Sequence, residues 1–291
     1  MPDWTAIDAA LADAGHAVSA NVSPRPVGGG DISAAWCVET TGGAVFLKTG
    51  PASSCEMFSA EAEGLEALAA PGVIRVPKVI ACGASGDTAF VALEWLDLGR
   101  TNSRAEARLG AQLAAMHRCT ADAFGWHRDN TIGLTPQHND RSGDWVGFFR
   151  EHRLGFQLRL AADNGFTGAL QEHGARLMKR LPVFFEGYSP EASLLHGDLW
   201  GGNWACCDGE PVIFDPAVYY GDRETDLAMT RLFGGFGRAF YDAYESAWPL
   251  APGHRERNDL YQLYHVLNHL NLFGSGYLGR AQDLIQRLLR G

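Results

Sequence analysis

The apolar residues of this chain change their spacing near residue 100, and that change limits the folds available to it. Before this point, short apolar and β-branched runs alternate with glycine-rich turns, a pattern typical of an antiparallel sheet. Beyond it, most segments repeat their apolar residues every three to four positions, as helices do. We therefore expect an α+β protein with a small sheet lobe over residues 1–97 and a larger, mostly helical lobe over residues 98–291.

Charge and cysteine content exclude several classes of function. The 291 residues carry a formal net charge of −10, which leaves no basic surface for nucleic acid or for an anionic membrane. Six cysteines in a chain of this length form neither a disulfide framework nor a paired zinc motif, so reduced thiols are expected. No stretch approaches the roughly 18 consecutive apolar residues of a membrane span. The sequence thus predicts a soluble, cytoplasmic protein without nucleic-acid or membrane partners.

The helical lobe is interrupted by an island of strand and turn residues that contains HGDLWGGN and, further on, VIFDP. Phosphoryl transfer by kinases requires an Asp to take the proton of the attacking hydroxyl, and an Asn and a second Asp to hold magnesium. Asp198, Asn203 and Asp215 fit these places at the required spacing, and His196 stands at the start of the same motif. An ordinary turn with Asx hydrogen bonds is the alternative. The flanking runs LLHGD and PVIFDP favour the kinase interpretation, since as a β-hairpin they would hold the acidic groups together.

Two features of the small lobe fit the same chemistry. Gly28, Gly29 and Gly30 stand between two predicted strands, where main-chain amides can approach phosphate oxygens closely, although a plain hairpin turn has the same composition. Lys48 ends the apolar run AVFLK. A lysine at a strand end is often a surface residue, but kinases use one there to pair with the α- and β-phosphates. With the downstream motif present, the second interpretation is favoured.

A carboxylate is needed to orient Lys48, and the predicted helix after Ser54 offers several. At 100° per residue, Glu61 shares a face with the apolar Leu65 and Leu68 and therefore points inward. Glu63 lies roughly 200° away and is the alternative if the helix boundaries are shifted. The sequence thus predicts an ion pair between Lys48 and Glu61.

Longer motifs extend this pattern: HGDLWGGN, FDPAVYYGDRETDLAM and LYHVLNHLNLFG resemble the fructosamine kinase (ketosamine-3-kinase) family, within the aminoglycoside-phosphotransferase-like branch of the protein-kinase-like fold. The match runs nearly end to end, because GGGDIS, VFLK, EAEGLEAL and LEWLDL also stand in family order. The resemblance implies a two-lobed kinase that uses ATP and Mg²⁺ to phosphorylate the third-carbon hydroxyl of a ketoamine, a sugar attached to an amine by glycation. Such a product releases the free amine, which implies deglycation as the role.

The resemblance also implies roles for individual residues. Asp198 looks like the proton acceptor, and Asn203 and Asp215 look like the magnesium ligands. Lys48 and Glu61 resemble the pair that positions the phosphates. The implied nucleotide-binding positions are Gly28, Gly29, Gly30 and Ser33 in the loop over the phosphates, and the main chain of Glu94, Trp95 and Leu96 in the adenine hinge. His196 and Asp226 resemble structural supports, with Asp226 a buried carboxylate that accepts hydrogen bonds from the catalytic loop.

Aromatic and polar residues indicate the acceptor side. Trp200 follows the proton acceptor by two positions, where an indole can stack on the C–H face of a sugar or, alternatively, pack in the core. In the predicted helix YHVLNHLN, core hydrogen bonding is the usual explanation for the polar residues. His265, Asn268 and Asn271 nevertheless recur every three positions, so they are candidates to line the acceptor pocket.

We therefore expect an ATP-dependent kinase for protein-bound or small-molecule ketoamines, either fructosamines or ribulosamines. A kinase for choline, an amino sugar or an aminoglycoside would share every ATP-side residue and is the alternative among enzymes. A nucleotide-binding pseudokinase is the alternative from another class, and the complete set of Lys48, Asp198, Asn203 and Asp215 argues against it. The sequence gives no function to the loop over residues 121–142.

Overall fold

A computed structural model describes Pro2 and residues 4–19, 23–28 and 33–290. The chain forms two compact units, the first from residues 1–101 and 205–216 and the second from residues 102–204 and 217–291. The sequence predicted the boundary at residue 97 and one continuous segment for each unit. Residues 205–216 join the first unit because their main chain bonds to it, from the amide of Ile213 to Arg75 O at 3.1 Å and from the amide of Gly99 to Cys206 O at 2.7 Å.

Strands outnumber helices up to residue 101, and beyond it most of the described residues in regular structure are helical. Up to residue 101 they are α1 (Trp4–Asp13), β1 (Arg25–Val27), β2 (Ala34–Thr40), β3 (Gly43–Pro51), α2 (Cys55–Ala69), β4 (Val79–Ser85) and β5 (Thr88–Glu94). Then follow α3 (Ser103–His117), β6 (Thr120–Ala121), β7 (Asn130–Ile132), β8 (Thr135–Gln137), α4 (Trp145–Phe148), α5 (Phe156–Asp163) and α6 (Ala169–Arg180). The last are β9 (Ala192–Leu195), β10 (Trp204–Cys207), β11 (Glu210–Ile213), β12 (Tyr219–Gly221), α7 (Glu224–Leu232), α8 (Arg238–Ala247), α9 (His254–Phe273) and α10 (Leu278–Arg290).

The first unit is built on an antiparallel sheet in the order β1-β2-β3-β5-β4. Successive side chains of β3 point to opposite faces of the sheet. Val45 and Leu47 are fully buried on one face, where they pack in a cluster with Ile7 and Leu11 of α1. Lys48 lies on the opposite face, which α2 covers. The antiparallel sheet and the helix after Ser54 that the sequence predicts are confirmed.

The second unit is mostly helical around a single large apolar core. Its central element is α9, which buries most of its side chains over twenty residues because apolar residues stand on nearly all of its faces. The indole of Trp145 donates to the hydroxyl of Tyr261 on α9 at 2.9 Å, and the two rings lie in a cluster with Phe149. Phe149–Gly155 forms a π-helix between α4 and α5.

A small sheet in the order β12-β9-β6 lies in this unit, and its strand β9 leads into the motif HGDLWGGN. The run before HGD is β9, which pairs with β12 and β6, whereas β11 pairs with β10. The expectation that LLHGD and PVIFDP pair with each other in a hairpin is therefore wrong. The physical reason is that the tight turn at Asp208 and Gly209, both with positive φ, pairs β11 with the strand next to it in sequence. The described residues contain no helix long and apolar enough to cross a membrane.

Candidate active site

Lys48 is held between two carboxylates of the first unit. Its Nζ lies 2.7 Å from Glu61 Oε1 and 2.5 Å from Asp215 Oδ1. Burial alone would lower the pKa of Lys48, but the charges of Glu61 and Asp215 raise it above its ordinary value, so the lysine remains a cation. The pairing that the helix face of Glu61 predicted is present. A fixed ammonium of this kind can bind phosphate oxygens.

The local sequence explains how this ion pair forms. Lys48 is in the middle of β3, on the face that α2 covers, and Glu61 stands on the side of α2 that also buries Phe58, Leu65 and Leu68. Burial raises the pKa of Glu61, and the charge of Lys48 opposes that rise. Only 12% of the Glu61 side chain is exposed, against 47% of the Asp215 side chain, so Asp215 is the carboxylate that a ligand can reach.

Asp215 follows β11 in a left-handed conformation, with φ of 56°. This region is unfavourable for most residues other than glycine, although Asp and Asn adopt it more readily. Backbone conformations of this cost are concentrated at functional sites, where the surrounding structure holds them. In this protein the bond from Lys48 Nζ fixes the side chain of Asp215.

The loop that contains Asp198 in the second unit is held by Asp226 of α7. One carboxylate oxygen accepts the amide of Gly197 at 2.8 Å, and the other accepts the amide of His196 at 2.8 Å and lies 3.1 Å from Nε2 of His117. Burial opposes the charge of Asp226, but the hydrogen bond from His117 and the amide of Gly197 hold its pKa below the ordinary value. The loop is therefore anchored on a buried anion.

A second constraint on this loop comes from Gly197, which has φ of 84°. A Cβ at this position would lie 2.0 Å from the carbonyl oxygen of Ala217, so only glycine fits. The amide of Ala217 in turn donates to His196 O at 2.8 Å. These contacts hold the loop against the segment that leads into β12.

Asp198 and Asn203 are joined directly. The side-chain amide of Asn203 donates to the main-chain oxygen of Asp198 at 2.9 Å and lies 3.5 Å from Asp198 Oδ2. The amide of Asp198 donates to Nδ1 of the buried His196 at 3.3 Å. Asn203 is buried and Asp198 is half-buried, so Asp198 is the member of the pair that an acceptor can approach.

Trp200 is not a core residue. Its side chain is 40% exposed, and one edge of its ring covers Gly202, where a Cβ would lie 2.3 Å from the indole. The alternative of core packing is therefore disfavoured by the structure. An exposed indole two residues from Asp198 offers a flat apolar surface beside the loop, which supports the stacking interpretation.

The predicted nucleotide-binding positions are described in part. Gly29 and Gly30 lie outside the described residues, whereas Gly28 follows β1 and Ser33 precedes β2. At the predicted hinge, the amide of Glu94 donates to Lys78 O at 2.8 Å, and its carboxylate pairs with Arg75 at 3.3 Å. Trp95 and Leu96 follow β5, and the Trp95 indole donates to Asp97 at 3.0 Å.

Two of the three candidate acceptor residues on α9, Asn268 and Asn271, form hydrogen bonds within the helical unit. Asn268 is buried and lies between Gln157 Nε2 at 3.2 Å and Ile132 O at 3.4 Å, and Asn271 donates to Gln157 Oε1 at 2.8 Å. His265 is buried, and neither of its ring nitrogens has a hydrogen-bond partner among the described residues. The expectation that His265, Asn268 and Asn271 line an acceptor pocket stays a prediction.

His117 is a support that the sequence analysis missed. It stands at the end of α3, and its Nδ1 lies 2.8 Å from the hydroxyl of Tyr244 while its Nε2 meets Asp226. Burial lowers the pKa of His117, although the hydrogen bond to Asp226 opposes this. Its position at the end of a helical apolar stripe indicates burial, but the sequence does not indicate its partners, which stand more than 100 residues away.

The fold identifies the class of protein. The chain has the protein-kinase-like fold of the aminoglycoside phosphotransferases. A solved aminoglycoside phosphotransferase matches it with a TM-score of 0.63 at 17% identity, over 94% of this chain and 95% of the other. The particular family follows from closer matches. The sequence model described as fructosamine kinase matches residues 3–291, so the chain belongs to the fructosamine kinase family.

Individual relatives agree with this membership. A probable ketoamine kinase from Synechocystis sp. is 47% identical over 268 residues, covering 91% of this chain and 90% of the relative. A chloroplastic protein-ribulosamine 3-kinase from Arabidopsis thaliana is 44% identical over 269 residues, covering 91% and 82%. A solved structure from Thermobifida fusca, provisionally named fructosamine-3-kinase, has a TM-score of 0.88 at 34% identity, covering 98% and 99%. The resemblance stated from the motifs is confirmed.

Proposed function

We propose that this protein transfers the γ-phosphate of ATP to the third-carbon hydroxyl of a ketoamine and thereby begins deglycation. The main observation in favour of kinase activity is that Lys48 Nζ is paired with both Glu61 and Asp215. This arrangement places a fixed cation beside a carboxylate that a ligand can reach. Family membership over residues 3–291 supports the ketoamine part, as do the names of the relatives from Synechocystis and Arabidopsis.

Asp198 is the residue that we assign to the acceptor hydroxyl. Its main chain is fixed by Asn203 and His196, so its carboxylate has a defined position from which to orient the hydroxyl and take its proton. Because phosphoryl transfer passes through a loose transition state, orientation of the attacking oxygen contributes more than basicity. Asp226 acts through this loop and is a positioning residue.

Lys48 is the residue that we assign to the phosphates of the nucleotide. Glu61 and Asp215 together keep it cationic, and the mostly buried Glu61 orients it. Stabilisation of negative charge by a preorganised cation is a large term in phosphoryl transfer. Gly28, Gly29, Gly30 and Ser33 are proposed to cover the phosphates, and the main chain of Glu94, Trp95 and Leu96 to contact the adenine.

Asn203 and Asp215 are the proposed ligands of Mg²⁺. An amide oxygen and a carboxylate are hard donors of the kind that this cation prefers, so the residues present fit the metal. When bound, magnesium neutralises charge on the transferred phosphate. The left-handed backbone of Asp215 and its bond to Lys48 hold the carboxylate in one orientation, ready to bind.

The exposed indole of Trp200 is proposed to stack on the sugar of the acceptor. Its position in the same loop as Asp198 would set the sugar beside the proton acceptor, and an apolar face suits the C–H side of a sugar ring. The cytoplasm is the location that the sequence predicts for this activity.

An acceptor panel tests the proposal. Purified protein is given ATP and Mg²⁺ with synthetic fructosamines, ribulosamines, choline or aminoglycosides, and ADP formation is followed. We expect turnover with ketoamines alone and none with the Asp198→Asn variant, which keeps the shape of the side chain but removes its charge. Turnover with choline or an aminoglycoside in place of ketoamines would replace the acceptor assignment, and absence of ADP with every acceptor would contradict kinase activity.

A further inference from the structure

The loop over residues 121–142, to which the sequence gives no function, carries three side-chain amides that bond to one another. They belong to Asn130 on β7, Gln137 on β8 and Asn139 beyond β8, and we call these three residues the amide brace. Gln137 and Asn139 are each 1% exposed. Gln137 Nε2 donates to Asn130 Oδ1 at 2.8 Å, and Asn139 Nδ2 donates to the same oxygen at 2.9 Å. Buried amides bonded in this way hold their partners in one arrangement, since each unpaired group would cost free energy.

The amide brace is bonded to the main chain just before β12. Gln137 Nε2 also donates to Ala217 O at 3.1 Å, and Asn130 Nδ2 donates to Val218 O at 2.8 Å. Both hydrogens of the Gln137 amide are thus used, one within the brace and one on Ala217. Two successive carbonyls of this segment are therefore held by the loop over residues 121–142.

Ala217 connects the amide brace to the loop that contains Asp198. Its amide donates to His196 O at 2.8 Å. Its carbonyl oxygen, which accepts the bond from Gln137, is the atom that a Cβ on Gly197 would approach to 2.0 Å. Gly197 directly precedes Asp198 in the chain. The bond from Gln137 therefore fixes the peptide against which the residue before Asp198 packs.

Arg153 defines the orientation of the amides in the brace. Its Nη2 lies 2.8 Å from Asn139 Oδ1, and a guanidinium can only donate. The other end of the Asn139 amide is therefore the donor to Asn130, which in turn directs its own NH2 group to Val218 O. Arg153 is fully buried, and its guanidinium lies 4.0 Å from the ring centroid of Tyr219 in β12. Each amide thus has one orientation, so a donor lost from the brace cannot be replaced by a flipped neighbour.

Tyr264 on α9 holds the remaining polar atom of the Gln137 side chain. Its hydroxyl donates to Gln137 Oε1 at 2.8 Å. Burial raises the pKa of Tyr264 above its ordinary value, the charge of Arg153 opposes this, and the negative charge of Asp198 adds to the rise. The hydroxyl therefore stays protonated, and the Asp198 carboxylate is close enough to act on it electrostatically. The Gln137 amide is thereby fixed at both of its ends.

We propose that Gln137 is a positioning residue for phosphoryl transfer and that it fixes the direction of the Asp198 carboxylate through the carbonyl of Ala217. Asp226 holds the amides of the same loop, so the loop is supported both there and at the His196 carbonyl. This inference rests on the proposed function, because it adds a support to the residue that we assign to the acceptor hydroxyl. It also gives the loop over residues 121–142 a role in the reaction.

Paired substitutions of two glutamines test the proposal. Gln137→Met keeps the length of the side chain but removes both donors and the acceptor. The control is Gln171→Met on α6, because Gln171 Nε2 also donates two bonds, to Leu158 O at 3.0 Å and to Phe166 O at 2.9 Å. kcat and both KM values are measured with ATP and a synthetic fructosamine, and kcat is divided by the folded fraction from far-ultraviolet circular dichroism. A loss of stability alone then leaves kcat per folded molecule unchanged.

Gln137→Met should lower kcat per folded molecule between about tenfold and about a hundredfold, because a loose transition state depends on the orientation of the attacking oxygen. KM for ATP should stay within about twofold of the wild-type value, since Asp198 is assigned to the acceptor and Lys48 to the nucleotide. Gln171→Met should leave kcat within about twofold. An equal loss of kcat in the two variants would overturn the proposal, as would a rise in KM for ATP as large as the fall in kcat.

Gln137→Glu tests the same bond with a side chain of nearly the same size, and it carries the test if Gln137→Met does not fold. As a carboxylate it would turn only acceptors toward Ala217 O and Asn130 Oδ1, whereas its protonated form can donate to Ala217 O. Burial raises the pKa of a carboxyl group, so the protonated form becomes populated as the pH falls from about 8 to about 6. The ratio of kcat for this variant to kcat for the wild-type protein, both per folded molecule, should rise over this range, and a flat ratio would overturn the action through Ala217.

Failure of this inference is distinct from failure of the proposed function. Full activity of the Gln137 variants on the fructosamine would remove the positioning role and leave ketoamine phosphorylation intact. Absence of fructosamine phosphorylation by the wild-type protein would contradict the proposed function itself, and the inference with it.

Discussion

Replacement of His265 by leucine isolates the pH dependence that one buried imidazole gives to the stability of the helical unit. His265 is 1% exposed in α9, and both ring nitrogens are without hydrogen-bond partners among the described residues. Burial lowers its pKa to about 3, aided by the charges of His269 and Arg153 and opposed by Asp226. The folded protein therefore keeps this ring neutral down to strongly acidic pH.

The magnitude follows from linkage between protonation and folding. In the unfolded chain the imidazole has its ordinary pKa of about 6.5, so below that pH the unfolded state binds a proton that the folded state does not. As the pH is lowered below 6.5, the free energy of unfolding falls by about 1.4 kcal/mol per pH unit, which amounts to about 2 kcal/mol between pH 7 and pH 5. The loss continues down to the folded pKa of about 3.

The assay is urea-induced unfolding of both proteins across this pH range, followed by far-ultraviolet circular dichroism. His265→Leu should lose about 2 kcal/mol less than the wild-type protein between pH 7 and pH 5. At pH 7 the variant should be at least as stable, since a buried polar group without a partner costs about 1–3 kcal/mol. Above pH 7.5 the two curves should run parallel, which is the internal control. The same acid-induced loss in both proteins would refute the assignment of a buried neutral His265.

Substitutions at Glu61, Trp200 and Asp226 test these three residues, with Glu63→Gln as the control for Glu61. Glu61→Gln should lower kcat about tenfold, because a neutral amide orients Lys48 less firmly than a carboxylate. Glu63→Gln should have little effect on kcat. A larger loss of kcat with Glu63→Gln than with Glu61→Gln would contradict the ion pair. Trp200→Leu should raise KM for the ketoamine about five- to tenfold and leave KM for ATP unchanged, and equal changes in both would contradict stacking. Asp226→Asn should lower the free energy of unfolding by about 3 kcal/mol, because the NH2 group of a carboxamide would face the N–H group of one loop amide. A loss below about 1 kcal/mol would contradict the assignment of Asp226 as a buried anion.

The sequence predicted those parts of the fold that depend on local periodicity. The strands of the first unit, α2 and the inward face of Glu61 all follow from spacing within one element, because side-chain direction is fixed by residue number in a helix or strand. The pairing of Lys48 with Glu61 needed only that face and an adjacent strand, and the two lie 2.7 Å apart.

Contacts between distant segments were not predictable in this way. The spacing of Asn268 and Asn271 indicated one helix side, but nothing in the sequence shows that Gln157 faces them across the core. His117 likewise meets its partners over more than 100 residues. The pairing of β9 with β12 rests on three residue pairs, too few for a pattern to specify register.

The position of the transferred phosphate tests the central claim most directly. Fructosyl-lysine is incubated with ATP and Mg²⁺, and the product is followed by two-dimensional ³¹P–¹H NMR together with an assay for free lysine. We expect a single new phosphorus resonance coupled to the proton on the third sugar carbon, followed by release of lysine in equal amount, and neither signal with Asp198→Asn. Phosphate on another hydroxyl, or a phosphorylated product that retains its amine, would contradict it.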